Sequence, residues 1–277
     1  YRAMDEKLHE SHDKLAATSD GTRVKLVANI ELSHEAKVAV AHGAEGVGLY
    51  RTEFLYVDRA EPPSEEDQLK HFRRVIEGMA GRPVTLRTFD IGGDKFSSTF
   101  QLPQELNPML GLRAVRLQLI EPAMLLTHLR AMVRASVFGS VRIMVPLVCT
   151  LDELRAVRAL LEQAQAEVRA AGHPMADEIP LGVMIEVPAA AVTADLFARE
   201  ADFMSIGTND LVQYALAIDR GNRTLAYLAS PFHPSILRMV DQVLRAGREA
   251  NCPVSVCGEM ASEPLGALLL VGLGMRT

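Results

Sequence analysis

The sequence predicts an α/β fold: a parallel (β/α)8 barrel of the TIM type, cut before its eighth strand. Three observations carry this. The 277 residues suit one such domain, which typically takes about 250. Seven apolar, strand-like runs alternate with helix-like segments. Five of those runs lead into a polar residue: GVGLY into Arg51, PVTL into Arg87, LGVMI into Glu186, FMSIGTN into Asp210 and PVSV into Cys257. A parallel barrel collects its chemistry at strand ends in this way, with the intervening helices as scaffold.

Taken in order, residues 1–18 read as a polar helix. With the Asp20-Gly21 turn it forms a linker over 1–20, ahead of a barrel domain over 21–277. Strands are predicted at 25–31, 46–52, 83–90, 141–146, 181–187, 203–208 and 253–259. Several are apolar throughout, as strands covered on both faces of a parallel sheet are. Helices are predicted at HEAKVAVAHGA, with Ser33 as N-cap, and at SEEDQLKHFRRVIEGM. The latter opens on Ser64 and carries acidic residues in its first turn, where they meet the positive end of the helix dipole. LDELRAVRALLEQAQAEVRAAG is a long amphipathic helix ended by Gly172, SILRMVDQVLRAGREAN is another, and EPLGALLLVGL is the last. Seven strands satisfy either an open sheet or a barrel stopped short of closure; the barrel is the preferred reading.

Composition narrows the partners. There are 29 basic and 35 acidic residues, net −6, and no long basic run, which argues against nucleic acid. The arginines must therefore act locally. Trp is absent, so small and branched aliphatic side chains fill the core. Cys149, Cys252 and Cys257 form no CxxC pair, which points to a reducing, cytoplasmic setting. The charged start DEKLHESHDK does not read as a signal peptide, and no apolar run approaches the roughly 20 residues of a membrane span.

Glu186 and Asp210 stand one β/α unit apart, so adjacent strands bring them to the same rim. Two carboxylates there suit Mg2+, with water and substrate oxygens completing its shell. Taken singly, either is as readily a helix cap or an arginine's partner. Arg51 and Arg87 end consecutive strands and offer planar forks for phosphate or carboxylate. Around Arg87, RTFDIGGDK adds Gly92 and Gly93, which permit close backbone approach, and Lys95, which can reach an anionic oxygen. NPMLGLRAVR supplies Arg113, a candidate for the anion site, and Arg116, equally well a surface charge. Arg220 follows Asp210 closely enough to fold back over the site. Cys257 is a candidate general acid, since an ordinary thiol is mostly protonated at neutral pH. A buried structural cysteine is the commoner fate, and Cys149 and Cys252 are assigned to packing.

The blocks GVGLYRTEFLYVDR, RTFDIGGDK, NPMLGLRAVR, MIEVPAAA, SIGTNDLVQYALAIDRGN and VCGEMA together resemble enzyme I of the bacterial sugar phosphotransferase system, a phosphoenolpyruvate (PEP)-protein phosphotransferase. The resemblance runs from about residue 20 to Thr277. Pyruvate, phosphate dikinase and PEP synthase share the RTE, GTND and CGE elements, whereas DIGGDK and AIDRGN are more like enzyme I. The resemblance implies a PEP-binding barrel of the PEP/pyruvate type. With Mg2+ it passes the phosphoryl group to a histidine on a separate N-terminal domain, which hands it to a histidine-containing carrier protein for sugar transport. It further implies Glu186 and Asp210 as Mg2+ ligands. Arg51, Arg87, Lys95, Asn209 and Arg220, with Arg113 alongside, become the phosphate and carboxylate binders. Cys257 becomes the acid that protonates the enolate carbon to give pyruvate. A homodimer through this domain is also implied.

None of the eight histidines lies in a GG-x-x-S-H-like setting, so the chain alone is not expected to phosphorylate itself; His233 is expected to order a loop. Two other readings are a non-catalytic PEP-sensing module and a fragment of a dikinase-like enzyme. Cys257 argues against the sensor, which has no need of an acid.

Overall fold

Successive residues of a strand face opposite ways, and in this barrel the two faces meet different neighbours. The computed structural model describes residues 15–56, 59, 61–92 and 105–277. Its strands are β1 (Ala28–Ile30), β2 (Val47–Tyr50), β3 (Val84–Arg87), β4 (Val141–Val145), β5 (Leu181–Ile185), β6 (Met204–Ile206) and β7 (Val254–Val256). Each lies inside its predicted run. All pair in parallel and in chain order.

Between the strands run α1 (Glu35–Ala41), α2 (Glu65–Gly78), α3 (Val115–Ile120), α4 (Pro122–Ala135), α5 (Leu151–Ala170), α6 (Pro188–Val192), α7 (Ala194–Glu200), α8 (Thr208–Ala215) and α9 (Pro234–Ala250); α10 (Pro264–Gly272) follows β7. The outward residues Leu86, Ile143, Val145, Val183, Ile185, Met204 and Ile206 join the helices in the main core. The inward residues Leu49, Met144 and Met184, with Phe203 and Cys257, form a second buried cluster inside the barrel. Apolar side chains on both faces explain why these strands read as continuous apolar runs.

The sheet curls rather than lying open. In a flat sheet, six spacings of about 4.8 Å would hold β1 and β7 about 29 Å apart. Instead Asn29 Nδ2, on β1, donates to the carbonyl of Cys257, just past β7, at 2.7 Å. The backbone of Arg276 and Thr277 enters the remaining gap: Lys25 N–H donates to the Arg276 carbonyl at 2.8 Å, and Val256 N–H to that of Thr277 at 3.2 Å. A groove of about 380 Å³ between Val24–Asn29, Val256, Leu270 and Met275 remains there.

Local signals explain the helix ends. Ser64 Oγ caps α2 by accepting from Asp67 N–H, and Thr150 with Glu153 forms a reciprocal capping box on α5. Gly172, at φ +74°, turns the chain after α5. The predicted Ser33 cap is not used: α1 starts one residue later, after His34, and Glu35 takes the N–H groups of Glu31 and Leu32. The predicted helix at 1–18 lies largely outside the described residues, and 15–18 are not helical. There the Asp20 carboxylate takes Thr22 N–H, and Ala17 bridges Arg23, a local turn that competes with helix. The α3–α4 pair is not among the predicted helices; Pro122 at the first helical position of α4 is its local signal.

Beneath the cluster of inward side chains, Phe203 lies across Gly182 of β5, with the Arg142 guanidinium 5.6 Å from its ring centroid. A Cβ at Gly182 would stand 2.6 Å from ring atoms that are themselves packed. Gly182→Ala is therefore expected to overpack the barrel floor and cost about 1–3 kcal/mol. Urea unfolding should show a lower midpoint at unchanged slope.

Candidate active site

The strand ends open on one cavity of about 440 Å³. Its lining includes Arg51, Arg87, Arg113, Glu186, Asn209, Asp210, Arg220 and Cys257, from elements up to 206 residues apart in sequence. The alternation that sends Gly182 and Met184 inward along β5 sends Glu186 inward at its end. The same step of two carries Leu49 to Arg51. Asp210 comes from the first turn of α8 rather than from a strand, because β6 stops at Ile206 and helix begins at Thr208. Lys95 and Gly93 lie outside the described residues. Arg116 does not line the cavity: it donates to the carbonyls of Leu110 and Gly111 and lies 3.5 Å from Cys149 Sγ. His233 caps α9 through Ser235 N–H, which is loop ordering.

Each described arginine of the cavity already has a carboxylate. Arg87 Nη2 donates to Glu53 Oε1 at 2.9 Å, and its Nη1 lies 3.6 Å from Asp90 Oδ2. Its Nε is buried without a hydrogen-bond partner. Arg113 grips Asp90 through Nε and Nη2 at 2.8–3.1 Å, and Nη2 also approaches Asp210 Oδ2 at 3.4 Å. Arg51 meets Glu31 at 2.8 Å, and Arg220 meets Asp210 Oδ1 at 3.4 Å. Burial works against the charge of Arg87 and Arg113, but Glu53 and Asp90 outweigh it and hold both guanidiniums more firmly protonated than usual. Asn209 and Glu259 bond reciprocally, side chain to side chain and side chain to backbone, at 3.0 Å each.

Glu186 is fully enclosed. Burial raises its pKa, and the negative charges of Asp210 and Asp90 push the same way against Arg87. Its Oε1 accepts Leu147 N–H at 2.7 Å. Leu147 reaches that position at φ +58°, a left-handed conformation uncommon for a branched side chain. Strand β4 thus contributes a backbone donor and no charged group. Asp210 Oδ1 is buried and makes no hydrogen bond. Two carboxylates sharing a rim, one held against its own ionisation and the other with an oxygen that meets only the half-exposed Arg220 and accepts no hydrogen bond, fit a hard divalent cation that keeps open positions for substrate oxygens. No group of three or more His, Cys, Asp or Glu side chains suited to a metal occurs among the described residues.

Cys257 is 6% exposed, and its Sγ lies 3.6 Å from the Ile206 carbonyl. Burial pushes the thiol up to about 11; Glu186 adds to this, while Ser205, Arg87 and Arg51 oppose it. Cys252 packs against the Ala201 carbonyl, and Cys149 is half-buried.

Sequence reasoning missed Glu53, Asp90 and Leu147. Glu53 and Asp90 stand inside the quoted RTE and RTFD blocks, two residues from Arg51 and three from Arg87, and that nearness was the available signal. Gly92 has the predicted role in another form: at φ +131° it bridges Arg113, and a Cβ there would stand 2.4 Å from the Leu112 carbonyl. This close approach seats Arg113.

A family described as PEP-utilising enzyme, PEP-binding domain, matches residues 5–277. The chain is 47% identical over 275 residues to a phosphoenolpyruvate-protein phosphotransferase of Bacillus sp. (strain S), covering 99% of this chain and 48% of that protein. It is 46% identical over 270 residues to the protein of that name from Staphylococcus carnosus (strain TM300), covering 98% and 47%. It thus spans about half the length of the curated relatives it matches. Among solved structures, an HpcH/HpaI aldolase/citrate lyase family protein from Burkholderia cenocepacia J2315 superposes with a TM-score of 0.55 at 13% identity, covering 100% of this chain and 91% of that one. Citrate synthase SbnG gives 0.54 at 15%, covering 93% and 85%. At such identities these two bear on the fold alone. On the family match and the near-full-length identities, the chain belongs to the PEP-utilising enzymes, as their PEP-binding domain.

Proposed function

We propose that this domain binds PEP together with Mg2+ and donates its phosphoryl group to a histidine on a separate N-terminal domain, releasing pyruvate. Such a phosphohistidine would then supply a histidine-containing carrier protein of sugar transport, and the domain would act as a homodimer in the cytoplasm. The observation that carries the reading is the charge composition of the cavity. Its described lining holds four arginines and six carboxylates, Glu31, Glu53, Asp90, Glu186, Asp210 and Glu259. A phosphate and a carboxylate together bring about three further negative charges at neutral pH. Such a ligand gains from a divalent cation held at Glu186 and Asp210.

Phosphoryl transfer asks for positioning and charge neutralisation more than for covalent help. Arg87 stands fixed by Glu53 and Arg113 by Asp90, so both guanidiniums are set before a ligand arrives. Arg51 and Arg220 are about half exposed, so their outer pairs can be exchanged for substrate oxygens. Lys95 and Asn209 would add donors. Mg2+, when bound, would neutralise charge on phosphate and enolate oxygens as a Lewis acid. The Cys257 thiol, protonated at neutral pH, would give its proton to the methylene carbon, turning the enolate into pyruvate.

Three outcomes are expected. Calorimetric titration should show saturable PEP binding with Mg2+ that chelator abolishes. Glu186→Gln or Asp210→Asn should weaken it by at least about 100-fold, more than loss of an outer-shell partner does. Unchanged binding in both variants would overturn the metal assignment.

Cys257→Ala should bind PEP near the wild-type level yet slow Mg2+-dependent proton exchange at C3 of pyruvate by about 10²–10⁴-fold. Tight binding with no exchange in the unsubstituted protein would mark a sensor instead.

In the ligand-free protein, Cys257 alkylation by iodoacetamide should keep rising with pH beyond 10, because its thiolate forms only near about 11. An ordinary thiol levels off above about 8.5. A plateau near pH 9 in peptide-resolved labelling would show that burial does not hold the proton.

A further inference from the structure

The β3–β4 ladder ends at Arg87, paired with Met144, and its last bond runs from Thr88 N–H to the Met144 carbonyl. Yet the four residues 87–90 include Arg87's own carbonyl and Asp90, on which both buried arginines depend. Backbone groups there need partners that no strand supplies. Side chains supply them. Thr52 Oγ1 donates to the Arg87 carbonyl at 2.9 Å, and Gln118 Nε2, from α3, donates to the Phe89 carbonyl at 2.6 Å. Gln118 Oε1 accepts from Thr88 Oγ1 at 3.2 Å.

Behind Thr52 stands His128 of α4. Its Nε2 is 3.4 Å from Thr52 Oγ1, and its Nδ1 meets Gln68 Oε1 and, at 3.3 Å, the Tyr56 hydroxyl. Gln68 Nε2 is fixed by the Pro63 carbonyl at 3.0 Å. Thr52, Gln68, Tyr56, Thr88, Gln118 and His128 are each at most 1% exposed. His128 Nδ1 faces the Gln68 acceptor, and the other side of the ring faces Thr52 and the Arg87 carbonyl. The Thr52 hydroxyl donates to the Arg87 carbonyl with the imidazole packed behind it. Burial, pushing the imidazole down to about 3, keeps it neutral. None of these side chains lines the cavity, and the proposed chemistry uses none of them.

We propose that Thr52, backed by His128, and Gln118 are positioning residues that lock the end of β3 and thereby aim Arg87 into the cavity. A buried polar network held at this many points fixes one geometry, and loss of the Thr52 hydroxyl takes a donor from the buried Arg87 carbonyl. Only the ligand arm of the test below rests on the PEP reading.

Thr52→Val keeps the volume and removes the proton, whereas Thr52→Ser keeps the hydroxyl. Each is compared with the unsubstituted chain in two measurements: labelling of individual arginines by phenylglyoxal, read by peptide mass spectrometry, and PEP titration with Mg2+. Thr52→Val should label Arg87 at least about fivefold faster, as local opening becomes easier, while Arg113 stays within about twofold. It should bind PEP about tenfold more weakly, the loss of one well-placed hydrogen bond. Thr52→Ser should restore both. Equal acceleration at Arg87 and Arg113 would mean general loosening and overturn the proposal, as would Thr52→Val behaving like the unsubstituted chain. If the unsubstituted chain fails to bind PEP, the PEP reading falls and the labelling arm still decides the positioning role. If Thr52→Val does not fold, Gln118→Met, which removes both Gln118 bonds at similar volume, takes its place with the same criteria.

Discussion

Buried charge has to be paired before any ligand arrives, and the cavity is organised around that requirement. Arg87 and Arg113 are 8% and 6% exposed, and Asp90 lies between them. Removing one partner of a buried pair typically costs about 3–5 kcal/mol, because the other charge is left stranded. A site that depended on substrate to neutralise these arginines would be unstable when empty. Asp90 and Glu53 remove that difficulty and fix two guanidiniums as walls. The same requirement explains why the loop after β3 is bonded so completely: a carboxylate that anchors two arginines is useful only if its own backbone stays in place.

The outer arginines obey different energetics. Arg51 and Arg220 hold carboxylates at 2.8 and 3.4 Å but remain about half exposed. Such pairs are worth about 0–1 kcal/mol, so solvent or a ligand oxygen competes with them easily. The cavity therefore has an inner pair of arginines whose geometry is set in advance and an outer pair free to turn toward an arriving anion. Preorganised groups stabilise developing charge without reorganising, and loosely held ones allow entry and release. Asp210 belongs to both sets, since Arg113 approaches one of its oxygens and Arg220 the other.

The strands were legible because their signal is physical on both faces: Val183 and Ile185 pack outward, Met184 packs inward, and the run reads as apolar throughout. The residues ending those runs were legible for the same reason, since a charge after LGVMI or PVTL can only emerge at the rim. What stayed hidden depends on contacts between distant segments. Leu147 is silent in sequence because its contribution is an N–H group and a left-handed φ, neither of which is a side-chain property. Thr52 and His128 are 76 residues apart and meet only once α4 packs against the end of β2. Glu53 joins the site through Arg87, 34 residues further on, a pairing no local pattern announces. The helix expected over 1–18 failed where it can be judged because Asp20 bonds its own turn, a local competitor that helix propensity does not register.

A thiol proposed as an acid faces a particular difficulty among arginines, which favour thiolate and would take its proton away. The geometry resolves this through what the arginines are already doing. Their charge is largely spent on Glu53, Asp90 and Glu31, so their pull on Cys257 is the weaker influence. Burial is the stronger one, and the enclosed Glu186 adds to it. Cys257 emerges from β7 directly above the apolar cluster of Leu49, Met144, Met184 and Phe203, which withholds water from its inner side. The barrel floor and the thiol are therefore one device: the side chains that fill the interior also keep the proton on sulfur, as the proposed acid role requires.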